Sequence, residues 1–310
     1  MKPYWQGVFP AVTTQMHRDG SIDLEATARH LEVLIDSGVG GLVMCGSLGE
    51  NQSLEAGEKR AVVEAAVGVA GGRVPVLAGV AETSTRAACS YVRDCRHLGA
   101  DGFMVMPAMA YRGDEREALA HLRSVARATE APLMIYNNPI SYANDVTPQM
   151  FAKLAEIDTI VALKESSCDT RRITDLRNEV GDRFALFTGV DDLVLESLVL
   201  GIDGWVAGIG LAFPYENQLL WDLAQEGKWE EARALYRWYT PLLHLDVSTK
   251  LVQNIKLAMQ ETGLGNEWVR APRLQLVGAE RTSVLGIIRH GIAGRPPVPG
   301  RPRSRRSATR

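Results

Sequence analysis

Three groups of residues in this 310-residue chain have types and spacing that could do chemistry. Lys164 closes the apolar run Ile160-Val161-Ala162-Leu163, which reads as a strand buried on both faces. Desolvation at the end of such a strand disfavours the ammonium, lowers its pKa and frees the amine as a nucleophile. The competing reading is a lysine that leaves the strand and pairs with Glu165 in a loop. Tyr136 closes a second apolar run, Pro132-Leu133-Met134-Ile135, and leads into Asn137-Asn138-Pro139. A third run, Gly41–Cys45, leads into Gly46-Ser47-Leu48-Gly49-Glu50. A glycine-flanked turn exposes successive backbone N–H groups and Ser47 adds a hydroxyl, a combination suited to a carboxylate. On spacing alone the same turn also fits a plain strand-to-helix connection. An amine and a phenol beside a carboxylate clamp suit Schiff-base chemistry on a 2-oxo acid, with the phenol as proton shuttle.

Elements must bring these groups together, and their order is readable. Apolar runs begin at Gly7, Gly41, Val74, Gly102, Pro132, Thr159, Phe184 and Gly204, and helical patterns separate them. Asp23 and Ser53 stand where helix N-caps are expected, with Glu55 and Glu58 in the first turn after Ser53. Eight strands alternating with helices fit a closed (β/α)8 TIM barrel better than a doubly wound sheet. The glycine-rich strand-to-helix turn of a dinucleotide site is missing, because Gly38-Val39-Gly40-Gly41 lies between a helix and a strand. Past Phe213-Pro214 only helical patterns remain. The expected division is a barrel over 1–224, a C-terminal helical extension over 225–293 and a disordered basic tail over 294–310. In such a barrel the active site lies at the C-terminal ends of the strands. That places Tyr136 and Lys164 on adjacent strands at matching ends, about 4.8 Å apart. It also brings in Gly189 and Asp191 after strand seven and Val206 near the end of strand eight, the last for backbone contact and shape. Asp191 and Asp192 could assist at a substrate hydroxyl or amine, or cap the following helix.

Composition excludes other classes. Hydrophobic residues make up 46% of the chain and charged residues 23%, as in a globular protein with an ample core. Six arginines and no acid fall within 291–310, so residues 1–290 carry a formal charge of −9 against −3 for the whole. An acidic body argues against nucleic acid as a partner. No apolar run reaches membrane-spanning length, and Met1-Lys2-Pro3-Tyr4-Trp5 lacks a signal-peptide core. Cys45, Cys89, Cys95 and Cys168 have no metal-site or disulfide spacing, and the six histidines are dispersed. A cytoplasmic enzyme with reduced thiols and no metal is the expectation.

The three motifs, in this order and at these strand ends, resemble the family of dihydrodipicolinate synthase and N-acetylneuraminate lyase. The likeness covers residues 5 to about 290. Gly46-Ser47-Leu48-Gly49-Glu50 is similar to the family's carboxylate-binding turn. Tyr136-Asn137-Asn138-Pro139 is similar to its tyrosine motif, and Leu163-Lys164-Glu165-Ser166 to its Schiff-base motif. The resemblance implies catalytic Lys164 and Tyr136, substrate contacts from Gly46, Ser47, Leu48, Gly189, Asp191 and Val206, no cofactor, and a homotetramer. Three positions depart from the synthase pattern. Ser141 stands where an arginine holds a second carboxylate, Leu48 where a relay threonine is expected, and Met109 where a neighbour-reaching tyrosine is expected, with Tyr111 the nearest phenol. The strings Gly189-Val190-Asp191-Asp192-Leu193, Tyr236-Arg237-Trp238 and Val269-Arg270-Ala271-Pro272-Arg273-Leu274 are similar to the family's deaminase branch. That branch takes the cyclic imine Δ1-pyrroline-4-hydroxy-2-carboxylate to 2,5-dioxopentanoate and ammonia. An aldolase or dehydratase of 2-oxo-3-deoxy sugar acids, or a non-catalytic 2-oxo acid sensor, would use the same lysine and tyrosine.

Overall fold

The computed structural model describes residues 5–108 and 111–298. Met109 and most of the basic tail lie outside them. The first half of the chain alternates β1 (Gly7–Val8), α1 (Leu24–Asp36), β2 (Leu42–Met44), α2 (Ala56–Ala70), β3 (Val76–Val80), α3 (Thr85–His97), β4 (Gly102–Val105) and α4 (Glu115–Ala126). The second half runs through β5 (Leu133–Asn137), α5 (Pro139–Tyr142), α6 (Pro148–Leu154), β6 (Ile160–Glu165), α7 (Arg171–Val180), β7 (Ala185–Thr188), α8 (Val194–Val199) and β8 (Gly204–Trp205). Four helices follow: α9 (Pro214–Gln225), α10 (Trp229–Leu243), α11 (Leu251–Thr262) and α12 (Gly278–Ala293).

All strand pairs are parallel, in the order β1-β8-β7-β6-β5-β4-β3-β2. The two ends of this sheet meet at a parallel bridge between Ala11 and Val43, which closes the barrel. β1 is shorter than its apolar run Gly7–Val12 suggests. Pro10 has no N–H to give a ladder, so regular pairing stops before it. Val43 still donates to the Pro10 carbonyl at 3.0 Å, and Val12 donates to Val43 at 2.9 Å. Inside, Phe9 and Phe187 meet edge to face with ring centroids 5.2 Å apart and fill the barrel below the catalytic end.

The helix starts show which local signals held. Asp23 caps α1 by accepting the Ala26 N–H at 2.8 Å, as expected. Ser53 does not cap α2. Glu55 takes that place in a reciprocal capping box with Glu58, while Ser53 ends a short 3-10 turn and accepts a bond from Arg273. Asp192 does not cap α8 either: Leu193 precedes that helix, and the Asp192 carboxylate accepts a 2.8 Å bond from His244.

The extension packs back onto the barrel. Trp238 and Tyr239 of α10 stack at 5.3 Å, and Phe213 at the barrel's end meets both edge to face. Arg295, within the stretch expected to be disordered, instead pairs with Glu216 of α9 and lies over the Phe213 ring. No helix of the described residues is long and apolar enough to cross a membrane.

Candidate active site

β6 alternates its side chains between barrel interior and exterior, and this decides what Lys164 and Glu165 do. Lys164 points inward and is buried. Glu165 points outward, where it accepts the Asn137 amide at 3.0 Å and the Ser167 N–H at 2.7 Å. The loop ion pair between the two is therefore excluded. Asn137 of β5 also bonds Asp145 and Val146, so the outer face of these two strands is tied together just behind the site.

On the inner face, Tyr136 and Lys164 are register partners across β5 and β6. The Lys164 Nζ lies 3.9 Å from the centroid of the Tyr136 ring. Burial pushes the Lys164 pKa down, partly opposed by the nearby Tyr142, Asp246 and Asp191. The amine is thereby held closer to its nucleophilic form. Tyr136 is itself buried, which raises its pKa and keeps the phenol protonated, while Asn138 donates to its hydroxyl at 3.1 Å. Gly189 is required beside them: a Cβ there would stand 2.2 Å from both the Lys164 Cε and the Ser166 Oγ.

The turn after β2 is held in a costly shape. Cys45 and Glu50 bracket it with φ of +53° and +58°, a region non-glycine residues enter at about 1–3 kcal/mol each. Asn51 holds one end by donating to the Cys45 carbonyl at 2.8 Å. Glu50 holds the other: its buried carboxylate accepts Lys256 Nζ of α11 at 2.6 Å and the Arg270 N–H at 3.1 Å. Between them, the Ser47 and Leu48 N–H groups make no hydrogen bond to the described residues, as a carboxylate cradle requires. Gly46 faces the tip of Met104. Leu48 is buried, and its apolar side chain has no proton to relay.

Two findings alter the sequence-based picture of proton movement. The Ser47 hydroxyl bonds the hydroxyl of Tyr142, which sits on the short helix α5 that the sequence reading missed. The Tyr142 ring meets Tyr136 edge to face at 5.8 Å. A hydroxyl chain from Ser47 through Tyr142 to Tyr136 thus exists within one subunit, although Leu48 occupies the position where a relay was expected. Asp191, expected to address substrate, is fully buried and committed elsewhere. Its oxygens accept the Trp205 indole N–H at 2.9 Å, the Gly208 N–H at 3.1 Å and the Ile209 N–H at 2.7 Å. It anchors the loop after β8 and contributes negative potential near Lys164, and burial raises its pKa to about 6. Val206 donates to the Thr188 carbonyl at 2.9 Å. Asp246, unforeseen, enters from the turn between α10 and α11 and faces Lys164.

A buried lysine on β6, a tyrosine beside it on β5 and a turn with unbonded N–H groups after β2 now stand in one barrel mouth. The model of the Dihydrodipicolinate synthetase family matches residues 4–290. The chain belongs to that family. Among curated relatives it is 30% identical over 288 residues to 4-hydroxy-tetrahydrodipicolinate synthase of Pelobacter propionicus, covering 92% of this chain and 98% of that one. Among solved structures it matches a putative dihydrodipicolinate synthetase from Pseudomonas aeruginosa with TM-score 0.88 and 30% identity, covering 92% of this chain and 99% of the other. It also matches the dihydrodipicolinate synthase of Acinetobacter baumannii complexed with pyruvate, with TM-score 0.88, 26% identity and coverage of 93% and 99%. As a member of this family the protein is a Schiff-base-forming enzyme of the class I aldolase type, acting on a small molecule. Ser141, on α5, gives its N–H to the Asn138 side chain and brings no cation to the mouth.

Proposed function

We propose that the protein converts Δ1-pyrroline-4-hydroxy-2-carboxylate to 2,5-dioxopentanoate and ammonia. The observation that carries this reading is the sign of the charge at the mouth. The charged and phenolic groups acting on Lys164 are Asp246, Asp191 and Tyr142, with no cation among them. Such a site accepts one carboxylate at the Ser47 turn and favours a hydroxyl or an amine at the far end. A second substrate carboxylate there would find no cation to pair with and would lie beside the Asp191 charge.

The chemistry proceeds from the amine. The substrate carboxylate lies on the Ser47 and Leu48 N–H groups, which places C2 before Lys164. The lysine nitrogen adds to C2 and the ring nitrogen leaves, giving a lysine Schiff base with a primary amine on C5. The protonated Schiff base withdraws electrons, so C3 loses a proton, relayed by Tyr136, whose oxygen takes it as the phenol gives its own proton to the amine freed on C5. The electron pair at C3 then expels the C4 hydroxyl as water. Tautomerisation carries the unsaturation to C5, where hydrolysis releases ammonia. A second hydrolysis frees the product and Lys164, so one water is consumed overall. Family membership also supports an oligomeric assembly.

Borohydride added with substrate should trap one equivalent on the wild type, and a coupled assay should record ammonia. Lys164→Ala should lose both. Ammonia release by that variant would end the covalent mechanism, and pyruvate in place of ammonia would identify an aldolase instead.

A further inference from the structure

We propose that Asp246, carried by the helical extension, is the general acid that protonates the C4 hydroxyl as it leaves. The inference rests on the imine reading above, in which that departure is the step with no assigned acid. Tyr136 and its hydroxyl chain lie on the β5 side of Lys164 and serve C3. A hydroxide leaving without a proton is a poor leaving group, so a second acid must reach C4 from elsewhere.

Asp246 comes from the opposite wall. It ends a 3-10 turn, His244–Asp246, between α10 and α11. Its carboxylate lies directly over Gly208, just past β8. A Cβ on Gly208 would stand 2.1 Å from Oδ1 and 2.6 Å from Cγ, so only glycine admits the acid there. The Oδ1 is sealed from solvent and has no hydrogen-bond partner among the described residues. A second orphaned oxygen, the Ser166 Oγ, lies on the Lys164 side. A buried carboxyl with an unused oxygen costs on the order of 1–3 kcal/mol, which a structural role would have relieved by a partner.

The neighbouring acids fix the protonation state. Asp191 has three N–H donors and is the better-solvated anion of the two. Asp246 has none of these, and burial together with the Asp191 and Asp192 charges pushes its pKa well up, opposed by Lys164. Two acids whose surroundings separate their pKa values divide the roles: Asp191 stays ionised and Asp246 keeps its proton. As C3 donates its electron pair, the C4–O bond breaks, the Asp246 proton passes to the departing oxygen, and water and an aspartate remain. Addition of water to the C5 imine returns the proton.

Asp246→Asn separates the steps. With the pyrroline substrate, the variant should form the borohydride-trapped adduct to the wild-type extent. It should also exchange the C3 protons with D2O, while ammonia release falls by roughly 10²–10⁴-fold, the usual range for a lost general acid. Gly208→Ala, whose Cβ displaces the carboxylate, should reproduce this pattern without touching Asp246. Wild-type ammonia release from both variants would overturn the assignment. So would loss of the adduct together with ammonia, which would make Asp246 a partner that positions Lys164. A wild type that releases no ammonia from this imine overturns the function itself, and is distinguished by needing no variant.

Discussion

The reactivity of Lys164 comes from its surroundings. It is an ordinary lysine whose amine is buried 3.9 Å from an aromatic face, among groups that only partly compensate its charge. In the proposed reaction Tyr136 and Tyr142 divide the proton traffic beside it. Tyr136→Phe should lower kcat by roughly 10²–10⁴-fold with adduct formation retained. Tyr142→Phe, which also frees the Ser47 hydroxyl, should lower kcat by a smaller factor, of order tenfold, and slow C3 exchange in proportion. Unchanged C3 exchange in Tyr142→Phe would remove that residue from the relay. Lys164 and Tyr136 were legible from sequence because each ends an apolar run. Tyr142 was not: it follows a proline turn whose four-residue helix is too short to show a periodicity.

At the scale of elements, the turn after β2 depends on α11. The Glu50–Lys256 pair has both side chains at 0% exposure and joins two segments 206 residues apart. Neither partner can be removed singly without leaving a buried charge. Lys256→Met should destabilise the fold by about 3 kcal/mol, the low end for a broken buried pair, because the Arg270 N–H and nearby Arg273 still serve Glu50. Chemical denaturation would measure it. Glu50→Gln combined with Lys256→Met should recover part of the loss, and a double variant no better than the single would refute the pairing argument. Helical patterns over Arg171–Val180 and Trp229–Leu243 in the sequence match the bounds of α7 and α10. β1 and the starts of α2 and α8 do not match theirs, since a proline, a glutamate box and a histidine partner decided them.

Across the whole molecule, the fully buried histidine of α1 ties stability to pH most strongly. His30 of α1 is buried, with Nε2 2.9 Å from the Leu211 carbonyl beyond β8, and burial lowers its pKa to about 4 from 6.5. The folded protein therefore holds His30 neutral where the unfolded chain takes up a proton. Its contribution is complete above pH 6.5 and is lost as the pH falls towards 4. Across that window the loss is about 3 kcal/mol. His30→Gln, which keeps a donor for Leu211, should flatten the acid limb of the stability curve by that amount. Urea titrations at several pH values would show it, and parallel curves for both proteins would contradict it. Asp191, with its pKa raised, slopes the other way in both proteins, so the difference between them isolates His30.

The barrel, its strand order and the place of Lys164 beside Tyr136 follow from one-dimensional patterns. Apolar runs, helical stripes and strand ends are local, and parallel β/α alternation leaves few ways to close. The place of the turn after β2 was readable for the same reason. Tertiary structure alone decided which acids matter. Asp191, three residues beyond β7, turned its carboxylate onto the backbone after β8. Asp246, in a turn between helices with no pattern to mark it, came to rest over Gly208 at the same mouth. Nothing local distinguishes these two aspartates, because their roles depend on which N–H groups the folded chain brings to each. The lysine's chemistry was written in its strand, and its partners were chosen by the closure of the barrel and the return of the helical extension.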